Sequence, residues 1–198
     1  MLLRDYVESN CGTGPIAGLT NQVVDTLISD LPPGTLVNIS AHVQISGATT
    51  LPFVQRLGAE ALIAAIQEKG QKLPLVHALR VLPQQFALRR WAQQGRCSIP
   101  AAAPPSRSNH EGANAIDVNN HSSWKSVLNH HGWRQTVLPN DPAHFEFTGD
   151  HDRDFVVKAV TAFQKLWNMH NPNDLIGEDG GYGTETEKRL KKSPIAGF

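Results

Sequence analysis

The chain has 198 residues, 40% hydrophobic and 18% charged, and its 18 Lys plus Arg balance 18 Asp plus Glu. This suits one solid domain, with or without a small appendage, and excludes a disordered polar chain. Zero formal net charge gives no global basic field for nucleic acid or an anionic membrane surface. No apolar run approaches the roughly 20 residues that span a bilayer.

The first residues, "MLLRDYVESNCG", carry two leucines before charges begin, which does not read as a secretory signal. Residues 19–31, "LTNQVVDTLISDL", space Val23, Val24, Leu27, Ile28 and Leu31 as a helix does, with Thr20 or Asn21 as cap and "PPG" as stop. "TLVNISAHVQIS" alternates and is rich in β-branched residues, so it reads as a strand or an extended arm. Residues 52–69 predict the clearest helix, from Pro52 to a stop at Gly70, with Leu57, Ala61, Leu62, Ala65 and Ile66 as its core stripe. "LPLVHALRVL" predicts a buried strand, and "PQQFALRRWAQQG" a second helix ending at Gly95.

A proline-rich loop, residues 98–108, leads to "SNHEGANAID". Beyond it, "HSSWKSVLNHHGW" predicts a helix capped by Ser122 or Ser123 and ended by Gly132, with Trp124 and Trp133 in the core. "RQTVL", the turn "PND" and "HFEF" predict a short hairpin. A helix starting near Asp152 runs through "DRDFVVKAVTAFQKLWNMH", and the Gly-rich turn in "EDGGYGTETEKRL" leads to a short helix capped by Thr184. The two cysteines, Cys11 and Cys97, are either two separate thiols or one bridge tying the N-terminal arm to the segment before the motif.

His110 and Asp117 stand seven positions apart with Gly112, Ala113, Asn114 and Ala115 between them. On a helix that separation is about 10 Å of rise, too far for two short side chains to share an atom. The Gly/Asn content instead favours a loop entering a strand, which folds the two toward a common point. An imidazole nitrogen and a carboxylate oxygen each about 2 Å from one point are what zinc requires, with a third protein ligand and one open position for water. In "DPAHFEF" a strand would put His144 and Glu146 on one face and Phe145 and Phe147 in the core, which makes His144 the third candidate. Asp141, before a proline, is the candidate general base.

These segments resemble the zinc D-Ala-D-Ala carboxypeptidases of the vancomycin-resistance type and the related L-alanyl-D-glutamate endopeptidases. The family pattern is Ser-x-His, then Gly, Ala and Asp at set steps, then an acidic residue three before a second His. It matches here at Ser108, His110, Ala115, Asp117, Asp141 and His144, while Ala113 stands where the family has glycine. The resemblance implies zinc on His110, Asp117 and His144, with Asp141 as base. Many relatives have Glu at the base position; Asp resembles the endopeptidase branch. Upstream, "HALRVLPQQFALRRWAQQGRC" is similar to the segment in which an arginine follows a strand and a glutamine follows on the next helix. That implies that Arg80 binds the substrate carboxylate or polarises the scissile carbonyl, supported by Gln84 or Gln85. The resemblance covers about residues 50–150. A weaker one links "VVKAVTAFQKLWN" and the turn Asp179-Gly180-Gly181-Tyr182-Gly183 to part of a peptidoglycan-binding helical module.

The expected fold is α+β: a small antiparallel sheet carrying a zinc site, flanked by helices, with a short helical C-terminal piece. The expected division is an N-terminal arm or helix over 1–50, a zinc peptidase domain over 51–150 and a peptidoglycan-binding-like segment over 151–198. The expected activity is zinc-dependent hydrolysis in peptidoglycan stem peptides by a monomer in the cell envelope or outside the cell. D,D-carboxypeptidase comes first, endopeptidase second, and a non-catalytic wall-binding or zinc-stabilised structural protein third. Ser108, Gln84 and Arg80 are the expected substrate contacts.

Overall fold

Apolar periodicity and turn residues place most of the elements. In the computed structural model, which describes residues 1–198, seven helices and seven strands make an α+β fold. The helices are α1 (Leu3–Ser9), α2 (Ala17–Asp30), α3 (Arg56–Lys69), α4 (Leu82–Gln93), α5 (His121–His130), α6 (Phe155–His170) and α7 (Thr184–Lys192). The strands are β1 (Leu36–Asn38), β2 (Val43–Ile45), β3 (Phe53–Gln55), β4 (Leu73–His77), β5 (Ala115–Val118), β6 (Trp133–Arg134) and β7 (His144–Phe147).

Two compact units are present. One comprises residues 1–31, 81–111 and 154–198, so segments of the expected arm, central domain and C-terminal piece all enter it. It is helical. α2 packs on α6, α1 on α4 and α7, and α4 also on α2 and α6. Leu19, Val23 and Leu27 of α2 and Phe155, Val160 and Phe163 of α6 are fully or almost fully buried. Cys11 and Cys97 are joined as a disulfide across 86 positions of sequence, with Cα atoms 5.5 Å apart, and the Trp91 indole N–H donates to the Val7 carbonyl at 3.1 Å nearby in the chain order of α1.

The other unit comprises residues 32–80 and 112–153. Its main sheet has the order β2-β4-β5-β7-β6, and β1 and β3 form a separate antiparallel pair. The sheet is mixed rather than purely antiparallel, because β2 runs parallel to β4 while the remaining pairs are antiparallel. Leu73 and Leu75 of β4, Ile116 and Val118 of β5 and Phe145 of β7 share one core with Leu62, Ala65 and Ile66 of α3 and Trp124 and Leu128 of α5. The two helices therefore cover one face, and strand alternation sends Asp117, His144 and Glu146 to the other.

Several boundaries differ from expectation. α3 begins at Arg56, not Pro52, because residues 53–55 are drawn into pairing with β1. Leu57 then falls on the outer side of the first turn and is exposed, not core. Asn120, left-handed at φ 51°, precedes α5; Ser122 and Ser123 lie inside its first turn rather than capping it. Gly183 precedes α7, so Thr184 is its first residue instead of its cap. Of "RQTVL" only Arg134 is in a strand.

Candidate metal centre

The loop before β5 is built to hold His110. Its earlier part is fastened to α4: Gln85 Nε2 donates to the Ala103 carbonyl at 2.8 Å and Arg89 Nη1 to the Ala102 carbonyl at 2.9 Å. The buried Glu111 carboxylate accepts the Ser106 N–H at 3.0 Å and the Ser108 N–H at 3.3 Å. Ser108 Oγ in turn accepts the His110 N–H at 3.3 Å. The hydroxyl thus shapes the turn that carries the imidazole. Three residues after His110, Ala113 sits at φ 51°, fully buried, in the conformation that usually selects glycine.

Asp117 and His144 are direct cross-strand partners in the β5–β7 register. Residues so placed have Cβ atoms about 4.5–5.5 Å apart. His144 Nδ1 lies 3.0 Å from Asp117 Oδ1, and its Nε2 lies 3.0 Å from Glu146 Oε1. The other carboxylate oxygen, Asp117 Oδ2, receives Arg80 Nη2 at 3.0 Å and lies 3.1 Å from His77 Nδ1. His110 and His144 are buried, and the Asp117 side chain is 13% exposed. Ligand atoms of His110, Asp117 and His144 all lie within 4.8 Å of one another, a group able to hold a metal ion. The three side chains expected to converge do so.

No protein-family model matches the chain, and neither a curated protein nor a solved structure does. The chemistry must be read from the site itself.

Burial opposes a charge on His144, but the hydrogen bonds to Asp117 and Glu146 outweigh it and push its pKa up to about 9. An imidazole ligates a metal only as the neutral base, so an ion at His144 would displace this proton. The 3.0 Å between His144 Nδ1 and Asp117 Oδ1 is close to a tetrahedral edge of about 3.3 Å, given metal–ligand bonds of about 2.0–2.1 Å. Little movement is needed for both to reach one ion. Glu146 then holds the far nitrogen of His144, and Arg80 and His77 hold the far oxygen of Asp117, the outer support that fixes ligand orientation.

The remaining expected site residues are placed as follows. Arg80 donates to Asp117. Gln84 is buried and its Oε1 accepts the Val81 N–H at 3.4 Å, at the start of α4. Asp141 is exposed on the turn before β7; its N–H donates to the Val137 carbonyl at 3.0 Å, and its carbonyl accepts the His144 N–H at 3.3 Å. His77 was not singled out by its spacing. The signal was its position three before Arg80 at the end of a strand that pairs with β5, where it faces Asp117. Glu146 was legible as a same-face neighbour of His144 but had no role until the 3.0 Å contact was seen.

The C-terminal turn is held from within the helical unit. Gln164 of α6 donates to Asp179 Oδ1 at 2.9 Å and to the Gly181 carbonyl at 3.1 Å, and accepts the Gly180 N–H at 2.8 Å. Gly180 is at φ 69°, and a Cβ there would strike Val157. These contacts account for glycine at position 180.

Proposed function

We propose that this chain is a zinc-dependent peptidase that cleaves peptide bonds in peptidoglycan stem peptides, as a D,D-carboxypeptidase. The observation that carries the reading is the approach of His110, Asp117 and His144 ligand atoms to within 4.8 Å of one another. Two imidazoles and a carboxylate suit zinc and other first-row transition ions, whereas magnesium and calcium favour all-oxygen sites. The resemblance of "SNHEGANAID" and "DPAHFEF" to the zinc carboxypeptidases narrows the ion to zinc and the substrate to the stem peptide.

Bound to these three residues, zinc supplies Lewis-acid activation of a water molecule and of the scissile carbonyl. Asp141 is the general base: it takes the proton of the attacking water and returns it to the leaving amine. Its main chain is bonded to that of His144, so one turn sets both the base and a ligand. Arg80 orients Asp117 and puts a positive charge beside the site, which suits a substrate ending in a carboxylate. Peptidoglycan lies in the cell envelope, and the Cys11–Cys97 disulfide suits an oxidising compartment.

Metal analysis combined with mass spectrometry of digested muropeptides tests the reading. The wild type should contain zinc that is lost in His110→Ala, and should release D-alanine from a pentapeptide. Asp141→Ala should keep the zinc and lose about 10²–10⁴-fold in rate. Release of internal fragments instead of D-alanine reassigns the bond to an endopeptidase. Iron in place of zinc, or no product from any stem peptide or intact sacculus, refutes the proposal.

A further inference from the structure

A second group of ligating side chains lies away from the first. Glu68 is next to last in α3, His130 is the last residue of α5, and His131 follows it. One carboxylate oxygen, Glu68 Oε2, lies 3.1 Å from His130 Nδ1 and 2.8 Å from His131 Nε2. The ligand atoms of all three lie within 4.8 Å of one another. Two nitrogens at these distances from one oxygen already approximate two edges of a zinc tetrahedron, each about 3.3 Å.

The surroundings favour a cation. Both hydrogen bonds fall on the same oxygen, so the two imidazoles converge on one side of the carboxylate. Both helices present their C-terminal ends here, the negative ends of their dipoles, and the Arg134 guanidinium donates to the Asn129 carbonyl in the last turn of α5. The neighbouring cation Lys69 is directed elsewhere: its ammonium donates to the Ser123 carbonyl and lies 4.9 Å from the Trp124 ring centroid. The paired imidazoles have centroids 4.9 Å apart and planes inclined by 50°, so they are not stacked on each other.

We infer that Glu68, His130 and His131 form a second site for a divalent transition-metal ion of the zinc class, which ties the C-terminal end of α3 to that of α5. The donor set of two imidazoles and one carboxylate selects zinc, nickel or copper(II) over magnesium and calcium. The His130 side chain is 72% exposed, so water completes the coordination and binding is weaker than at the buried group. The site clamps the two helices that cover the apolar face of the main sheet. It does not depend on the hydrolase reading.

Titration of the full chain with zinc chloride, followed by calorimetry, tests the inference. The wild type should show a weaker binding event that disappears in both His130→Ala and Glu68→Gln, while any tighter event persists. Both positions are solvent-facing enough for the variants to fold, which circular dichroism checks. In histidine-selective nitrogen-15 spectra of the wild type, the same zinc additions should shift the His130 and His131 ring signals. If neither variant removes a binding event, or those ring signals stay fixed while zinc is taken up, the site does not exist.

Discussion

Gln55 is the side chain on which the approach to β5 depends. It ends β3, is 5% exposed, and makes three side-chain hydrogen bonds to main chain. Nε2 donates to the Gly112 carbonyl at 2.7 Å and the Asp152 carbonyl at 3.0 Å; Oε1 accepts the Asp152 N–H at 2.8 Å. Its own N–H reaches the Ala113 carbonyl at 2.9 Å and survives truncation. At about 1 kcal/mol net for each bond lost, Gln55→Ala should cost about 3 kcal/mol. For a chain of this size that lowers Tm by roughly 6–12 °C. Gln55→Leu fills the space and keeps water out, so its partners are left bare and its cost should equal or exceed that of alanine. Urea titration of both variants at pH 7 measures the difference from the shift in midpoint at constant slope. If both lose less than about 1 kcal/mol, the three bonds do not hold the segment and the reasoning fails.

Three further outcomes follow from the same geometry. Glu146→Gln weakens the support of His144 and should reduce zinc affinity about 10–100-fold with unchanged circular dichroism; calorimetry giving wild-type affinity would remove Glu146 from the site. Opening the disulfide, by reduction or as the Cys11→Ser/Cys97→Ser double variant, releases a constraint spanning 86 positions. Chain entropy sets an upper value of about 4.6 kcal/mol, with about 2–4 kcal/mol usual; a melting temperature insensitive to reductant would contradict it. The N–H of Gly181 and the amide of Gln164 lower the pKa of Asp179 in the fold. Its contribution is therefore present above the unfolded value of about 3.9 and is lost as pH falls through the folded value. Asp179→Asn should flatten the acid limb of a stability profile below about pH 4, and an unchanged limb would count against it.

The helices were legible where one face carries the apolar residues, as in α2 and α6, and where glycine marks the end, as at Gly70 and Gly132. The start of α3 was not, because Phe53-Val54-Gln55 is compatible with either period and a distant strand, β1, decides it. The parallel pairing of β2 with β4 left no local trace, since direction depends on the connection and not on the strand's own residues. For the candidate metal centre, loop and strand spacing made His110, Asp117 and His144 candidates, and the resemblance implied them as a set; their ligand atoms do converge. His77 and the outer role of Glu146 were not legible. Both arise from register, which places His77 opposite Asp117 and leaves Glu146 beside His144. The resemblance implied Gln84 as a substrate contact; its side-chain oxygen accepts the Val81 N–H at the first turn of α4.

The pairing of Asp117 with His144, followed by Ile116 with Phe145, divides labour along the chain. A slip of one residue would turn the ligands into the apolar layer and the phenyl ring outward, so the hydrophobic core polices the spacing of the donors. The connection at 135–143 shares part of that duty, because the Asp141 N–H donates to the Val137 carbonyl and the Asp141 carbonyl accepts the His144 N–H at the entry to β7. The spacing of Asp117 and His144 is thereby written into the apolar layer behind them as much as into their own side chains.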